Sequence, residues 1–283
     1  MAQIHNIKRH IRSVVNIKKI TKTMEMVAAA RMQKTTSALF ASRPYARLAW
    51  AMLQEVSARS ESELHPLLQS RPVRKTLVIL VTSDRGLCGA FNMNLIHQAL
   101  KLVTDKEKFH FVTVGKKGRD FLMYRGYQVI AEFNNLEMPV SFIKTLPVSR
   151  IAIEEYAGRR YDEVVVVHST FVSHLVQKPE ALKLLPFREY GKGESASTMI
   201  YEPSAREVVS VLVPRIFEYE IYAAILENQA AEFAARMVAM KNATENAEQL
   251  IDNLTLTYNK ARQEGITKEL TELSTSTMVI EEI

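Results

Sequence analysis

The chain has 283 residues, 47% hydrophobic and 24% charged, which suits one or two ordinary soluble domains. No apolar run reaches the roughly eighteen residues that a bilayer crossing requires, and one cysteine, Cys88, excludes an intrachain disulfide and fits a reducing compartment. The formal net charge of +6 and pI near 9.3 call for an acidic partner only where that charge is concentrated.

Residues 1–12, MAQIHNIKRHIR, are basic and amphipathic, but lack the apolar core and small-residue cleavage site of a signal peptide. The pattern continues past residue 30 without serine enrichment, so it reads as mature structure rather than a transit peptide. Residues 1–43 contain neither glycine nor proline, the two residues most costly in a helix interior. Ile4, Ile7, Ile11, Val14, Ile17, Ile20, Met24 and Val27 recur by threes and fours, which predicts a long amphipathic helix. Three consecutive steps of three, from Ile11 to Ile20, break strict heptad phase and predict a locally irregular supercoil. Pro44 is expected to end or kink this helix, with a second amphipathic piece reaching about residue 60.

The middle of the chain changes character. Residues 76–83, TLVILVTS, are a continuous apolar, β-branched run, the pattern of a strand buried on both faces. A turn, DRGLCG, leads to a predicted helix over 90–103. Strand 109–115, helix 116–125, strand 127–131, helix 141–159 interrupted by Pro147, and strand 163–168 follow. Shorter extended pieces are expected near 181–187 and 198–202, around a flexible GKGES turn. Alternating strands and helices imply a mostly parallel sheet with right-handed crossovers. Residues 215–283 then hold a single glycine, Gly265, and no proline. Met240, Ala243, Ala247, Leu250, Leu254, Thr257 and Ala261 fit an a/d heptad whose small residues let two backbones approach closely. A helix of 69 residues would span about 100 Å at 1.5 Å per residue, so it needs a partner helix or other subunits along its length.

Charge makes the pairing specific. Residues 1–43 carry nine Lys and Arg against one acid, Glu25, whereas residues 215–283 carry six against twelve Asp and Glu. An antiparallel coiled coil of the two termini sets these opposite fields side by side. Each exposed pair is worth only about 0–1 kcal/mol, so charge selects the partner more than it holds it. The expected fold class is therefore α/β. Its parts are a coiled-coil helix over 1–60 kinked near Pro44, a central α/β domain over 75–202, and a coiled-coil helix over 205–283.

No candidate active site emerges. The first strand-to-helix turn, Ser83 to Gly89, lies where a phosphate loop would sit, but has neither GxGxxG nor GxxxxGK[ST], and Asp84 would repel a phosphate. His5 and His10, like His168 and His174, lack the i, i+4 spacing of a helical metal pair. No G-x-S-x-G elbow occurs. Cys88 has a basic neighbour and a nearby helix start, which would lower its pKa; the alternative is a small residue in a turn. No cofactor and no metal is expected.

Several long motifs carry a family resemblance: KITKTMEMVAAARM at 19–32, SRPYA at 42–46, TSDRGLCGAFN at 82–92, AARMVAMKNAT at 234–244 and YNKARQEGITKELTEL at 258–273. In sequence and in order of elements the chain resembles the gamma, central rotor-stalk subunits of bacterial F-type ATP synthases over nearly its whole length. The resemblance implies an antiparallel coiled coil inside a ring of three alpha and three beta subunits, one gamma per ring. It also implies a Rossmann-like α/β domain seated on the membrane c ring beside epsilon. Rotation passes between the c ring and the catalytic subunits in proton-driven ATP synthesis or hydrolysis, with no catalytic residue in gamma itself. Location is the cytoplasmic side of a bacterial membrane, peripheral and held through the c ring.

Residue by residue, Met24 in KTMEMV matches the methionine that faces acidic loops of beta. Arg262 and Gln263 in KARQ, with Thr267 and Glu269 in ITKEL, match the shaft-tip positions that engage beta. Arg85 and Cys88 lie in the turn that approaches the rotor–stator boundary, and Tyr201 and Glu202 in YEP match the foot near the c ring and epsilon. The chain departs from the family after Leu273, where Ser274 to Met278 replace a Gly/Ala-rich stretch and IEEI ends the sequence. The paired regulatory cysteines of chloroplast relatives are absent, so no thiol switch is expected. Two rival readings are a basic nucleic-acid-binding protein and an α/β nucleotide-binding enzyme with a coiled-coil arm. The first lacks interleaved aromatics, with none before Phe40, and any named binding motif; the second lacks a phosphate loop.

Overall fold

The computed structural model describes residues 2–59, 65–187, 202 and 204–281. In chain order they form α1 (Ala2–Arg59), a 3-10 turn (Pro66–Leu68), β1 (Thr76–Val81), α2 (Phe91–Leu100), β2 (Phe109–Val114), α3 (Lys116–Tyr124) and β3 (Val129–Phe133). Then come α4 (Phe142–Ala157), β4 (Glu163–Phe171), β5 (Gln177–Leu185) and α5 (Ala205–Glu281). Two compact units result, one from residues 1–27 with 237–283 and the other from residues 28–236. No helix among the described residues is long and apolar enough to cross a membrane.

The larger unit is built on a five-stranded sheet of order β3-β2-β1-β4-β5. β1 pairs in parallel with β2 and β4, β2 pairs in parallel with β3, and β5 returns antiparallel on β4. All six residues of β1 are buried, as its unbroken apolar run predicts for a strand covered on both faces. The parallel order places the β1–α2 and β2–α3 turns together at the carboxyl ends of adjacent strands. The extended piece expected near 181–187 is the end of a longer strand, β5. Residues 198–201 of the other expected piece lie outside the described residues.

α5 docks on this sheet through a run of polar residues inside an apolar helix. Asn228 accepts the Ser169 N–H of β4 at 3.0 Å. Gln229 accepts the Val140 N–H at 3.0 Å and donates to Glu137 O at 3.1 Å, closing the loop before α4. All these groups except Glu137 O are buried, and each satisfies a backbone group the sheet or loop leaves open. The run is flanked by Ile225, Leu226, Ala230, Ala231 and Phe233, which supply the apolar contact.

Pro44 does not end the first helix. α1 continues through it to Arg59, as α4 continues through Pro147 and α5 through Pro214. Proline removes one backbone donor and crowds the preceding turn, but contacts to α5 flank the defect. Tyr45 stacks on Tyr219 at 4.8 Å, the Tyr219 hydroxyl donates to Ser42 O, and Arg43 pairs with Glu227 at 3.7 Å. Tertiary packing here outweighs local propensity.

The smaller unit is an antiparallel helix pair. Lys18 Nζ meets Glu248 Oε1 at 2.7 Å and the Thr21 and Thr244 hydroxyls bond at 2.8 Å, so the partner number falls as the α1 number rises. Glu248 holds its carboxyl below the usual range through that Lys18 contact.

Candidate functional site

The seam of the helix pair differs from the apolar stripe of the sequence. On α1 the covered positions are Ile7, Ile11, Val14, Val15, Lys18, Thr21 and Glu25, and the alternation by threes and fours continues in the larger unit at Ala28, Met32, Thr35 and Leu39. Apart from Val15 beside Val14, they follow one another by alternate fours and threes. Ile17, Ile20, Met24 and Val27, four of the eight stripe residues, stand at 50, 58, 39 and 47% exposure instead. The physical reason is that two faces share these eight residues. Up to Val14 the apolar stripe and the seam coincide; beyond it Lys18 and Thr21 meet α5, Glu25 is half-buried in line with them, and Ile17, Ile20, Met24 and Val27 are exposed.

α5 shows a related shift. Its covered positions are Met240, Ala243, Thr244, Ala247, Ile251, Leu254, Tyr258, Ala261 and Gly265. Met240, Ala243, Ala247, Leu254 and Ala261 are the expected ones, whereas Leu250 and Thr257 give way to their C-terminal neighbours. Leu250 is 47% exposed, and Leu256, Ile266 and Leu270 are exposed farther along. Small residues at the seam let the backbones approach, and hydroxyls at Thr21 and Thr244 satisfy each other inside it.

The family-matched residues fall on these surfaces. Met24 is on the exposed apolar side of α1. Arg262, Gln263 and Thr267 are exposed on α5, where the Thr267 hydroxyl donates to Gln263 O at 2.9 Å; Glu269 lies in the same helix. Gln263 and Thr267 border a shallow polar recess with Lys260, Glu264 and Thr271. Glu202 is exposed in the larger unit, and Tyr201 lies outside the described residues.

Arg85 and Cys88 belong to a turn that is built rather than merely tolerated. Leu87 and Gly89 take positive φ (63° and 61°), folding the loop back on itself. Asn92 accepts the Ser83 N–H at 3.0 Å and donates to Ser83 Oγ at 2.8 Å and Cys88 Sγ at 3.2 Å. Arg236 of α5 donates to Arg85 O and Gly86 O, and pairs with Glu232 at 2.7 Å. Arg85 itself points to solvent, whereas Cys88 is 2% exposed. Burial pushes the Cys88 thiol up, against the opposing pull of Arg236 and the Ser83 hydrogen bond. The lowered pKa considered from its basic neighbour is therefore overturned, because desolvation outweighs the charge. Sequence reasoning missed Arg236 and Glu232 as the clamp on this turn. Their signal was two opposite charges four apart in the otherwise apolar stretch 230–240.

Beside that turn, the amino end of α3 is filled by the protein's own groups. The first three N–H groups of α3 are all engaged: Lys116 N–H donates to Asp84 at 3.2 Å, Lys117 N–H to Ser83 O at 3.1 Å, and Gly118 N–H to Thr82 Oγ1 at 2.9 Å. Asp84 also accepts the Asn135 N–H at 2.9 Å. A carboxylate thus sits at the positive end of α3, where a nucleotide phosphate would otherwise be drawn. Gly115 (φ 95°) and Gly118 permit the close approach, since a Cβ on Gly115 would stand 2.2 Å from Thr82 O.

Comparison with known proteins gives the family and the fold. The family described as ATP synthase matches residues 3–278. An ATP synthase gamma chain of Pelotomaculum thermopropionicum is 40% identical over 277 residues, covering 96% of this chain and 97% of its own. One from Dehalococcoides mccartyi strain 195 is 43% identical over 278 residues with the same coverage. Among solved structures, the central stalk and c ring of Tetrahymena thermophila mitochondrial ATP synthase contains a chain with TM-score 0.64 and 26% identity, covering 79% of this chain and 99% of its own. A chain of the Euglena gracilis mitochondrial enzyme shares the fold at TM-score 0.73 and 20% identity, covering 99% and 95%.

Proposed function

The chain belongs to the ATP synthase gamma-chain family, whose members form the central-stalk rotor, and from that premise we propose how its surfaces divide the work. The helix pair of residues 2–27 and 237–281 is the shaft inside a ring of three alpha and three beta subunits. The α/β unit is the base that rests on the c ring beside epsilon, with Tyr201 and Glu202 at that foot. The assembly works at the cytoplasmic side of a bacterial membrane, driven by protons, and the chain itself supplies no catalytic group.

The observation that carries this reading is the exposed apolar face of α1. Ile17, Ile20, Met24 and Val27 line up beside a seam that α5 already fills with other residues. Such a stripe on a narrow helix pair needs an outside partner to cover it. An apolar, weakly directional contact also suits a shaft that must turn past several equivalent neighbours, because buried ion pairs would hold it at fixed angles. The surrounding Lys19, Lys22, Arg12 and Arg31 match a sleeve of acidic beta loops. Closure of the α3 amino end by Asp84 supports the non-catalytic role, since no phosphate can take that position without displacing a carboxylate.

Coexpression with alpha and beta subunits of the same source tests the proposal. The chain should copurify at one copy per three alpha–beta pairs, with ATPase activity that depends on it. Ile20→Ser with Met24→Ser should reduce that assembly or the coupling of rotation to hydrolysis while leaving the melting of the isolated chain within a few degrees. Normal assembly and coupling of the double variant would remove the apolar face from the mechanism.

A further inference from the structure

The amino ends of β1 and β4, opposite the DRGLCG turn, carry a second concentration of charge that the rotor reading does not use. Two segments meet there, residues 71–75 entering β1 and residues 159–162 entering β4. They enclose an open cleft of about 570 Å³ lined by Arg71, Arg74, Lys75, Arg159 and Arg160, with Asp162 the lone acid among its walls.

That acid is already saturated. Asp162 accepts the Arg74 N–H at 2.9 Å and the Lys75 N–H at 3.2 Å, and pairs with Arg71 Nε at 2.7 Å. Desolvation opposes its ionisation, but these donors prevail and hold its carboxyl below the usual range. Arg71 is consumed as well: it donates to Tyr156 O at 2.9 Å and to Tyr161 O, and stacks on the Tyr156 ring at 4.3 Å. Arg160 is held by both oxygens of Glu155, at 2.6 and 2.8 Å. Arg74, Lys75 and Arg159 are left exposed, with no ion pair among the described residues. Three uncompensated cations therefore stand on a frame whose backbone is pinned, because Asp162 N–H also donates to Lys75 O at 2.9 Å.

Arg159 adds an independent mark. It holds φ 56° in the turn after α4, a left-handed position that glycine ordinarily fills at lower cost. A long cation there spends conformational energy that a glycine would save. The field is felt nearby: buried His110, whose Nδ1 lies 2.6 Å from Tyr161 Oη, is held below its ordinary pKa first by burial and then by Lys75.

We propose that this cleft is a binding site for a phosphate group, held by the Arg74 and Arg159 guanidinia with Lys75 as the third charge. Guanidinium forks match the geometry of phosphate oxygens, and the hydrogen bonds of Asp162 fix the backbone from which Arg74 and Lys75 reach out. The phosphate can belong to a soluble anion or to the headgroup of an anionic lipid. The site is independent of the rotor reading, which could fail without affecting it.

The test uses the intact chain and the variant Arg74→Ala, Lys75→Ala, Arg159→Gly. This variant keeps the backbone donors to Asp162 and gives the left-handed turn its preferred residue, so its melting temperature is expected to be unchanged or raised. Calorimetric titration with inorganic phosphate at low salt is one arm. Cosedimentation with phosphatidylglycerol-containing vesicles, against pure phosphatidylcholine, is the other. A matched variant lacking three N-terminal cations, Lys8→Ala, Arg9→Ala, Arg12→Ala, controls for general charge. The proposal expects affinity to fall at least tenfold in the cleft variant and less than threefold in the control. A fall confined to the phosphate arm identifies a soluble anion, and a fall in the vesicle arm identifies a lipid headgroup. Absence of binding in both arms, or equal effects of the two variants, overturns it.

Discussion

At the scale of single residues, the turn between β1 and α2 rests on a few atoms whose removal has calculable effects. Gly115 combines a positive φ with a backbone carbonyl 2.2 Å from where a Cβ would stand. Gly115→Ala is expected to destabilise the chain by about 2–4 kcal/mol, since both strain and displacement of Thr82 are involved; urea unfolding measures it, and a loss under about 0.5 kcal/mol would contradict the packing. Arg236 is a sharper case because its partner Glu232 is 3% exposed. Desolvation raises the Glu232 pKa, and Arg236 opposes that rise. Arg236→Ala leaves the acid buried without its cation and should cost about 3 kcal/mol near neutral pH. A carboxyl raised above its unfolded value favours the fold fully only below the unfolded pKa, and loses that contribution as pH rises through the folded pKa. The variant should therefore recover stability relative to the parent as pH falls from 8 towards 5. A pH-independent difference between the two melting curves would place the effect elsewhere. Cys88 is buried and its thiol is pushed up, so little thiolate is available for oxidation.

At the scale of elements, the helix pair shows how far periodicity reads and where it stops. Met240, Ala247, Leu254 and Ala261 were legible as one row of the α5 seam because their seven-residue spacing admits no other phase. The second row was not, because a position three or four residues after each of them fits a heptad equally well. The a/d phase took Leu250; Ile251 is the covered neighbour. Selection between the rows depends on where α1 lies, which residues on α5 alone do not encode. Ala247→Leu should overpack the seam and cost about 1–3 kcal/mol, while Leu250→Ser should change stability by less than about 0.5 kcal/mol. Circular dichroism melts of the two variants decide the register: the reverse order would restore the apolar row inferred from sequence. The same logic explains Pro44, whose local effect was readable while the flanking Tyr45–Tyr219 and Arg43–Glu227 contacts were not.

At the scale of the whole molecule, function depends on surfaces that the chain does not cover by itself. The α5 residues Arg262, Gln263 and Thr267 are exposed polar groups with no role in the helix pair beyond the Thr267 hydrogen bond along its own helix. Arg262→Ala with Gln263→Ala is therefore expected to leave thermal unfolding of the isolated chain unchanged. In the assembled enzyme it should weaken assembly or coupled ATP hydrolysis several-fold. Loss of soluble, folded chain would instead make the pair structural. The atypical stretch from Ser274 to Met278 lies beyond these positions in the sequence, so exchanging it for a Gly/Ala-rich segment in the same assay would show whether the tip tolerates the difference.

Glycine and proline placement, heptad spacing, strand runs and charge sign are properties of the linear chain. They determined two long terminal helices, a mostly parallel α/β middle and the family itself. The sheet order, the register of the seam, the burial of Cys88 and the clamp of Arg236 on the DRGLCG turn came only with the tertiary structure. Each depends on which distant side chain arrives opposite a given position, and local pattern carries no term for that. The exposed row of Ile17, Ile20, Met24 and Val27 lies between the two: the sequence marked it as apolar, and only the packed helix pair showed it left uncovered.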